Sequence, residues 1–167
     1  HVWLVKTNPV HVGHWGTYIT TPEVTSKKAT VKLAVTVDNQ SDKKVNALVQ
    51  TSFFELDINN KPTKKVTATK AVTVAINPNS NVVTETQTAV LNPKLWDIVA
   101  PNRYVAQTTV SINGKLVDSY NTPFGIRTIE FSATKGFLLN GKKVVINGTC
   151  NHHDLGALGA AINTSAL

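Results

Sequence analysis

Hydrophobic and polar residues alternate along most of this sequence, and no stretch before residue 150 shows the 3.6-residue period of an amphipathic helix. The segment 31–37 is typical, because every second residue there is valine or leucine and the residues between are mostly polar. Alternation with a period of two is the pattern of a strand that buries one face. The sequence therefore predicts an all-β fold.

Turn-forming residues divide the alternating pattern into about seven strands. Clusters at Asn39–Asp42, Asn59–Pro62 and Asn77–Ser80 interrupt it, and Asn113-Gly114 suits a two-residue hairpin turn because both positions tolerate positive φ. About seven short antiparallel strands at this spacing predict an immunoglobulin-like β-sandwich. The predicted strands are 17–20, Ala29–Val37, Val45–Leu56, Lys65–Ile76, Val82–Leu91, Arg103–Ile112 and Leu116–Tyr120.

Charge and cysteine content narrow the classes of function. The chain of 167 residues has 17 Lys and Arg against 10 Asp and Glu, a net charge of +7. The lysines fall in scattered pairs beside turns, which is typical of solvated strand ends, so we expect no nucleic-acid partner. No apolar run has membrane-spanning length, so we expect no membrane partner. The single cysteine, Cys150, excludes an internal disulfide and is expected to be a buried, inert thiol.

A second unit is predicted to begin near Pro123. Phe124–Arg127 leads out of the sandwich, and 136–148 has the pattern of a hairpin with Asn140-Gly141 at its tip. The polar loop Asn151–Asp154 follows. We therefore expect a C-terminal tail made of a hairpin and one further strand, in the manner of an α/β domain that is only beginning.

Four motifs in this order resemble glycoside hydrolase family 2, particularly its β-galactosidases. They are Leu95-Trp96 followed by Pro101 and Tyr104, then Phe124–Arg127, Gly136–Gly141 and Gly148–Asp154. In addition, residues 1–4 are similar to the last strand of the family's jelly-roll domain, and 20–22 to the entry of its sandwich. Cys150 departs from the commonest family pattern, where another residue is usual.

The resemblance implies a domain order of jelly roll, sandwich and TIM barrel. Residues 1–14 would then be the end of the jelly roll or a linker, 15–123 the sandwich, and 124–167 a linker, the hairpin and the first strand of a truncated barrel. The sequence has no methionine and both ends look cut, so the chain is interpreted as a piece of a larger enzyme. A periplasmic or exported bacterial enzyme is expected, with the cytoplasm as the alternative.

The chemistry of the family implies that this chain is not catalytic by itself. Retaining glycoside hydrolysis needs two carboxyl groups about 5 Å apart across one glycosidic bond, and the resemblance places both on later barrel strands. The glutamates of this chain, which are Glu23, Glu55, Glu85 and Glu130, are expected to be solvated or structural. We therefore expect no catalytic residue, no cofactor and no metal here. The implied parent is a β-galactosidase, with a β-glucuronidase or β-mannosidase as alternatives.

The loop around His152 is the one candidate substrate site. The resemblance implies that in the parent enzyme His152 hydrogen-bonds sugar hydroxyls or the transition state, while Asp154 orients it. A metal site at His152 and His153 is disfavoured, because neighbours on an extended strand point to opposite faces. In this chain alone the loop is expected to have no role.

A free-standing module that binds carbohydrate or protein is the alternative function. It would need an exposed aromatic patch on one sheet, and only 7% of the residues are aromatic. Trp3, Trp15 and Trp96 are the candidates for stacking on a sugar. Of these, Trp96 is expected in the core, and Trp15, with His14, at a domain junction. An enzyme acting through the His152 loop is the third hypothesis.

Overall fold

The computed structural model describes residues 2, 4–149, 156–160 and 165 and consists almost wholly of β-strands. The strands are β1 (Val10–Val24), β2 (Lys28–Asn39), β3 (Val45–Leu56), β4 (Pro62–Ala68), β5 (Val72–Ile76), β6 (Ser80–Leu91), β7 (Tyr104–Ile112), β8 (Lys115–Phe124), β9 (Ile129–Ser132), β10 (Gly136–Leu139) and β11 (Lys142–Lys143), and Gly156–Leu158 is one turn of 3₁₀ helix. None of the described residues forms a helix that is long and apolar enough to cross a bilayer.

Two antiparallel sheets form the sandwich, and their order follows the immunoglobulin pattern. One sheet has the order β1-β2-β6, and the other β4-β3-β7-β8, with β5 also paired to β3. Inward side chains from both sheets share a single core, in which Val31, Leu33, Phe53 and Val110 are at most 1% exposed. The prediction of an immunoglobulin-like sandwich is confirmed. A separate small sheet, β11-β10-β9, follows it in the chain.

The predicted strand Lys65–Ile76 is wrong in one respect, because the structure divides it into β4 and β5. Both pieces pair with β3, but three residues, 69–71, lie opposite only two residues of β3. The Thr69 hydroxyl accepts a hydrogen bond from the Thr51 amide (3.1 Å), and the Thr69 amide donates to the Thr51 carbonyl (2.8 Å). This β-bulge fits the alternation of the sequence, so periodicity alone does not reveal it.

Strand β1 is longer than the predicted 17–20. It pairs with β2 from Val10 onward and contacts β8 of the other sheet, where the Thr17 and Thr122 hydroxyls lie 2.8 Å apart. The Val12 amide also donates to the Asp118 carboxylate (2.8 Å). Residues 10–12 therefore pair within the sandwich sheet, while the domain boundaries themselves stay a prediction.

Tyr104 closes the connection between β6 and β7. It lies at the start of β7, is 1% exposed, and its hydroxyl accepts a hydrogen bond from the Lys94 amide at 2.8 Å. A buried tyrosine that bonds upstream backbone at this corner is a recurrent feature of immunoglobulin-like sandwiches. The Lys94 ammonium in turn donates to Glu55 at 2.7 Å, and this hydrogen bond raises the pKa of Lys94.

The buried position of Tyr104 makes stability sensitive to alkaline pH. Burial raises the pKa of Tyr104 above its ordinary value of 10.0. Above pH 10 the unfolded chain releases this proton while the folded chain keeps it, so the free energy of unfolding falls as pH rises. We expect urea unfolding between pH 9 and 11.5 to show a shallower fall in Tyr104→Phe than in the unmodified chain. Equal slopes for the two proteins would contradict this reading, and Tyr120→Phe is the matched control.

Candidate functional site

The β6–β7 connection carries Trp96, whose backbone is held from several sides. The Trp96 amide donates to the Ile126 carbonyl at 2.8 Å, and Trp96 forms an isolated bridge with Pro101. The Asn102 side-chain amide donates to the Leu95 carbonyl at 3.0 Å. The motif residues 95–102 thus form one compact corner against the exit strand of the sandwich.

The indole of Trp96 packs on the residues that leave the sandwich. A Cβ placed on Gly125 would lie 2.9 Å from the Trp96 Cβ, so this position has no room for a side chain. The Arg127 guanidinium lies 5.1 Å from the centroid of the Trp96 ring, within the range of a cation–π contact. Between these two residues Ile126 is fully buried.

Asn140 connects the same tryptophan to the terminal hairpin. Its side-chain amide donates to the Trp96 carbonyl at 2.9 Å, and its side-chain oxygen accepts from the Thr128 amide at 3.0 Å. Asn140 and Gly141 both have positive φ (51° and 75°) and form the predicted hairpin turn between β10 and β11. We call Trp96, Gly125, Arg127 and Asn140 the Trp96 junction. It fixes the small sheet to the sandwich.

The expectation that Trp96 belongs to the sandwich core is wrong in detail. The side chain is half-buried and lies at the edge of the sandwich, where Gly125 and Arg127 cover it. An indole can bury most of its area and still serve as a contact between two units. The sequence motif identified the residue correctly but not the surface that it packs against.

Gly125→Ala tests the Trp96 junction. The added methyl group overlaps the tryptophan, so we expect the free energy of unfolding to fall by about 1–3 kcal/mol, as for other overpacked sites. Gly148→Ala is the matched control, because no atom lies within 4 Å of a Cβ there, and it should change stability by less than about 0.5 kcal/mol. Equal values for the two variants in chemical denaturation would show that the contact is unimportant.

The glutamates lie on four different strands. Glu23, on β1, accepts a hydrogen bond from the Thr30 hydroxyl at 3.1 Å, and Glu55, on β3, is held by Lys94. Glu85 lies on β6 and Glu130 on β9. Within the described ranges, no group of three or more His, Cys, Asp and Glu side chains is arranged to hold a metal ion.

The predicted substrate residues His152 and Asp154 lie outside the described residues, as do His153, Cys150 and Trp3. Their assignment therefore rests on the sequence motif alone and stays a prediction.

A second feature, which sequence reasoning missed, lies on β1. Four residues, Gly13–Gly16, lie opposite the single residue Thr36 of β2 and form a large irregular bulge. Trp15 within the bulge has φ of 54° and is 81% exposed, and its ring meets His14 edge-on at 5.4 Å. The signal in the sequence was a pair of glycines within an otherwise alternating strand, which is typical of a bulge.

Comparison with known proteins identifies one family. Residues 10–127 match the family model described as glycosyl hydrolases family 2. A β-galactosidase of Bacteroides ovatus is 45% identical over 167 residues, which are 100% of this chain and 19% of that protein. A putative β-glucuronidase of Formosa agariphila is 30% identical over 161 residues, covering 96% of this chain and 14% of that protein.

A solved structure agrees with these sequence matches. The crystal structure of a glycosyl hydrolase family 2 member from Bacteroides cellulosilyticus superposes with a TM-score of 0.80 at 34% identity. The match covers 96% of this chain and 20% of that one. The chain therefore spans about a fifth or less of the length of these relatives.

Proposed function

Because this chain belongs to glycosyl hydrolase family 2, we propose that it is the non-catalytic sandwich of a longer enzyme that hydrolyses terminal β-D-galactosides with retention. The observation that carries the proposal is the Trp96 junction, which fixes the sandwich to the hairpin sheet. The segment 148–154, which the sequence motif assigns to the first barrel strand and its loop, follows that hairpin directly. In this arrangement the sandwich has a structural role, because it fixes the position of the first barrel strand.

The division of labour follows from the chemistry of the reaction. One carboxylic acid protonates the leaving oxygen, and a second carboxylate attacks the anomeric carbon, so the two groups must flank one bond. In the proposal both glutamates belong to the barrel of the longer enzyme, and a jelly roll precedes the sandwich. His152 would bind sugar hydroxyls or the transition state at the carboxyl end of the first barrel strand, where active sites of this fold form. Asp154 would orient it.

A β-galactosidase is favoured as the parent because the Bacteroides ovatus relative is 45% identical across the whole chain. A β-glucuronidase is the alternative, since a relative described in that way is 30% identical over 161 residues, and a β-mannosidase is the third candidate. The sandwich does not distinguish these substrates, because the residues that contact the glycone belong to the barrel in this proposal.

Expression of the complete coding sequence around this segment allows the proposed substrate specificity to be tested. We expect the longer enzyme to cleave a chromogenic β-D-galactoside at least about a hundredfold faster, in kcat/KM, than the matching glucuronide or mannoside, a difference of about 2.7 kcal/mol. Loss of turnover in His152→Ala, with unchanged thermal unfolding, would support its place in the active site. A preference for the glucuronide would transfer the proposal to the alternative parent.

A further inference from the structure

We propose that two loops of the sandwich, 57–61 and 97–100, form an apolar docking surface for the barrel of the longer enzyme. The proposal rests on the proposed function in one respect, since it needs a longer enzyme in which a barrel follows this chain. It holds whichever glycoside that enzyme cleaves. Three features of the loops carry it, which are their exposed apolar side chains, their fixed shape and their continuity with the Trp96 junction.

The two loops lie side by side at the end of the sandwich where the chain leaves it. Glu55, Tyr104 and Phe124 pair in one row across β3, β7 and β8. Beyond this row, the Leu56 amide donates a hydrogen bond to the Arg103 carbonyl at 2.9 Å. The loop after β3, the loop before β7 and the end of β8 are therefore neighbours.

Both loops present large apolar side chains to the solvent. Between Val10 and Phe124, no large apolar side chain is more exposed than Ile58 (93%) and Val99 (90%), and Ile98 is 64% exposed. Single exposed apolar residues are common, but a group of them is typical of an interaction surface. Three such residues on adjacent loops therefore indicate a surface that other protein atoms cover.

Hydrogen bonds within each loop fix its shape. The Asp57 carboxylate accepts from the amides of Asn59 (2.9 Å) and Lys61 (2.8 Å). In the second loop the Asp97 carboxylate accepts from the Val99 amide at 3.1 Å. Loops that are fixed in advance lose less conformational entropy when another domain packs on them. The apolar residues are thus held in the arrangement that docking uses.

The depression between the loops is smaller than a small-molecule site. It measures about 240 Å³ and is lined by 56–58 and 100–103, whereas ligand pockets span about 300–1,000 Å³. Its lining places Ile58 on the same surface as Ala100, which directly follows Val99. These dimensions favour a protein surface that covers both loops over a small ligand bound between them.

The docking surface continues the Trp96 junction. Trp96 directly precedes the loop 97–100, and its carbonyl accepts a hydrogen bond from Asn140 of the terminal hairpin at 2.9 Å. This chain covers only 19% and 14% of two relatives, so most of an enzyme of that length lies outside it. In the proposed domain order the barrel follows the hairpin directly. It is therefore the domain that this surface meets first.

Photo-cross-linking in the complete enzyme identifies the domain that covers the surface. We expect Val99→p-benzoylphenylalanine to cross-link to a peptide that follows residue 167 of the same polypeptide. Isotopically light and heavy copies are mixed before irradiation, with subunit exchange checked by native mass spectrometry, so that a cross-link within one polypeptide contains one isotope only. Ser80→p-benzoylphenylalanine is the control at the opposite end of β6, and it should give no cross-link to that peptide.

Thiol labelling measures how far the surface is covered. Val99→Cys and Ile58→Cys should react with a maleimide at least about a hundredfold more slowly in the complete enzyme than in this chain alone. Equal rates in both, or cross-links from Val99 to a segment before residue 1, would overturn the proposal. Cross-links that contain both isotopes would also overturn it and assign the surface to a second copy. Neither readout uses turnover, so a preference for another glycoside would change the proposed function and leave the docking surface intact.

Discussion

Replacing Asn39 with alanine should lower the free energy of unfolding by about 3–4 kcal/mol, because one buried side chain satisfies several backbone groups at once. Its amide nitrogen lies 2.8 Å from the Lys43 carbonyl, 3.2 Å from that of Ile76 and 3.0 Å from that of Asn77. Asn39 is 1% exposed. Alanine would remove the donor that these three carbonyls share, and the hydrogen bond to the Ile76 carbonyl is the buried one of the three.

The acceptor side of Asn39 adds to this effect. Its side-chain oxygen accepts hydrogen bonds from the Ser41 amide (3.0 Å) and the Ser41 hydroxyl (2.6 Å), which shape the turn between β2 and β3. Urea denaturation of Asn39→Ala gives the measurement. Asn46→Ala, an exposed position on β3, is the control and should change stability by less than about 0.5 kcal/mol. A loss below about 1 kcal/mol at Asn39 would mean that water replaces the side chain.

Replacing Phe53 with alanine should cost about 3–5 kcal/mol, the range for a large buried aromatic residue. Phe53 is fully buried on β3 and meets the ring of Phe124 edge-on, with centroids 5.9 Å apart. Alanine would leave a cavity between the two sheets and remove this aromatic pair. The surrounding structure relaxes only partially around such a cavity.

Phe131→Ala provides the comparison for Phe53. Phe131 lies on β9 and is 78% exposed, so its loss should cost less than about 1 kcal/mol. Chemical denaturation of both variants gives the difference directly. If Phe53→Ala cost no more than Phe131→Ala, the core between the sheets would not be packed as described.

Asn39 also shows how far the sequence can be interpreted. The alternating pattern predicted β2, and the cluster Asn39–Asp42 predicted the turn after it. The sequence does not show that Asn39 turns inward to bond the distant carbonyls of Ile76 and Asn77, because that depends on how β2 and β5 meet in space. The turn after β2 was therefore predictable from the sequence, but the hydrogen bonds from Asn39 to the carbonyls of Ile76 and Asn77 were not.

For Trp96 and Trp15 as well, the sequence predicted part of what the structure shows. The motif around Trp96 predicted an important residue, but its contact with Gly125 joins positions 29 residues apart in the sequence and needed the structure. The glycines on either side of His14 and Trp15 are a sequence signal for a bulge, but the positive φ of Trp15 is a backbone property that hydrophobic periodicity does not report. The positive φ of Trp15, within strand β1, was therefore seen only in the structure.

An assay of the purified chain with a chromogenic β-D-galactoside tests whether this chain is catalytic by itself. Cooperative urea unfolding first establishes that the sandwich is folded in the sample used. If the acid and the nucleophile belong to the barrel of the longer enzyme, as proposed, turnover should be indistinguishable from buffer. Turnover by the folded chain that disappears in His152→Ala would contradict it.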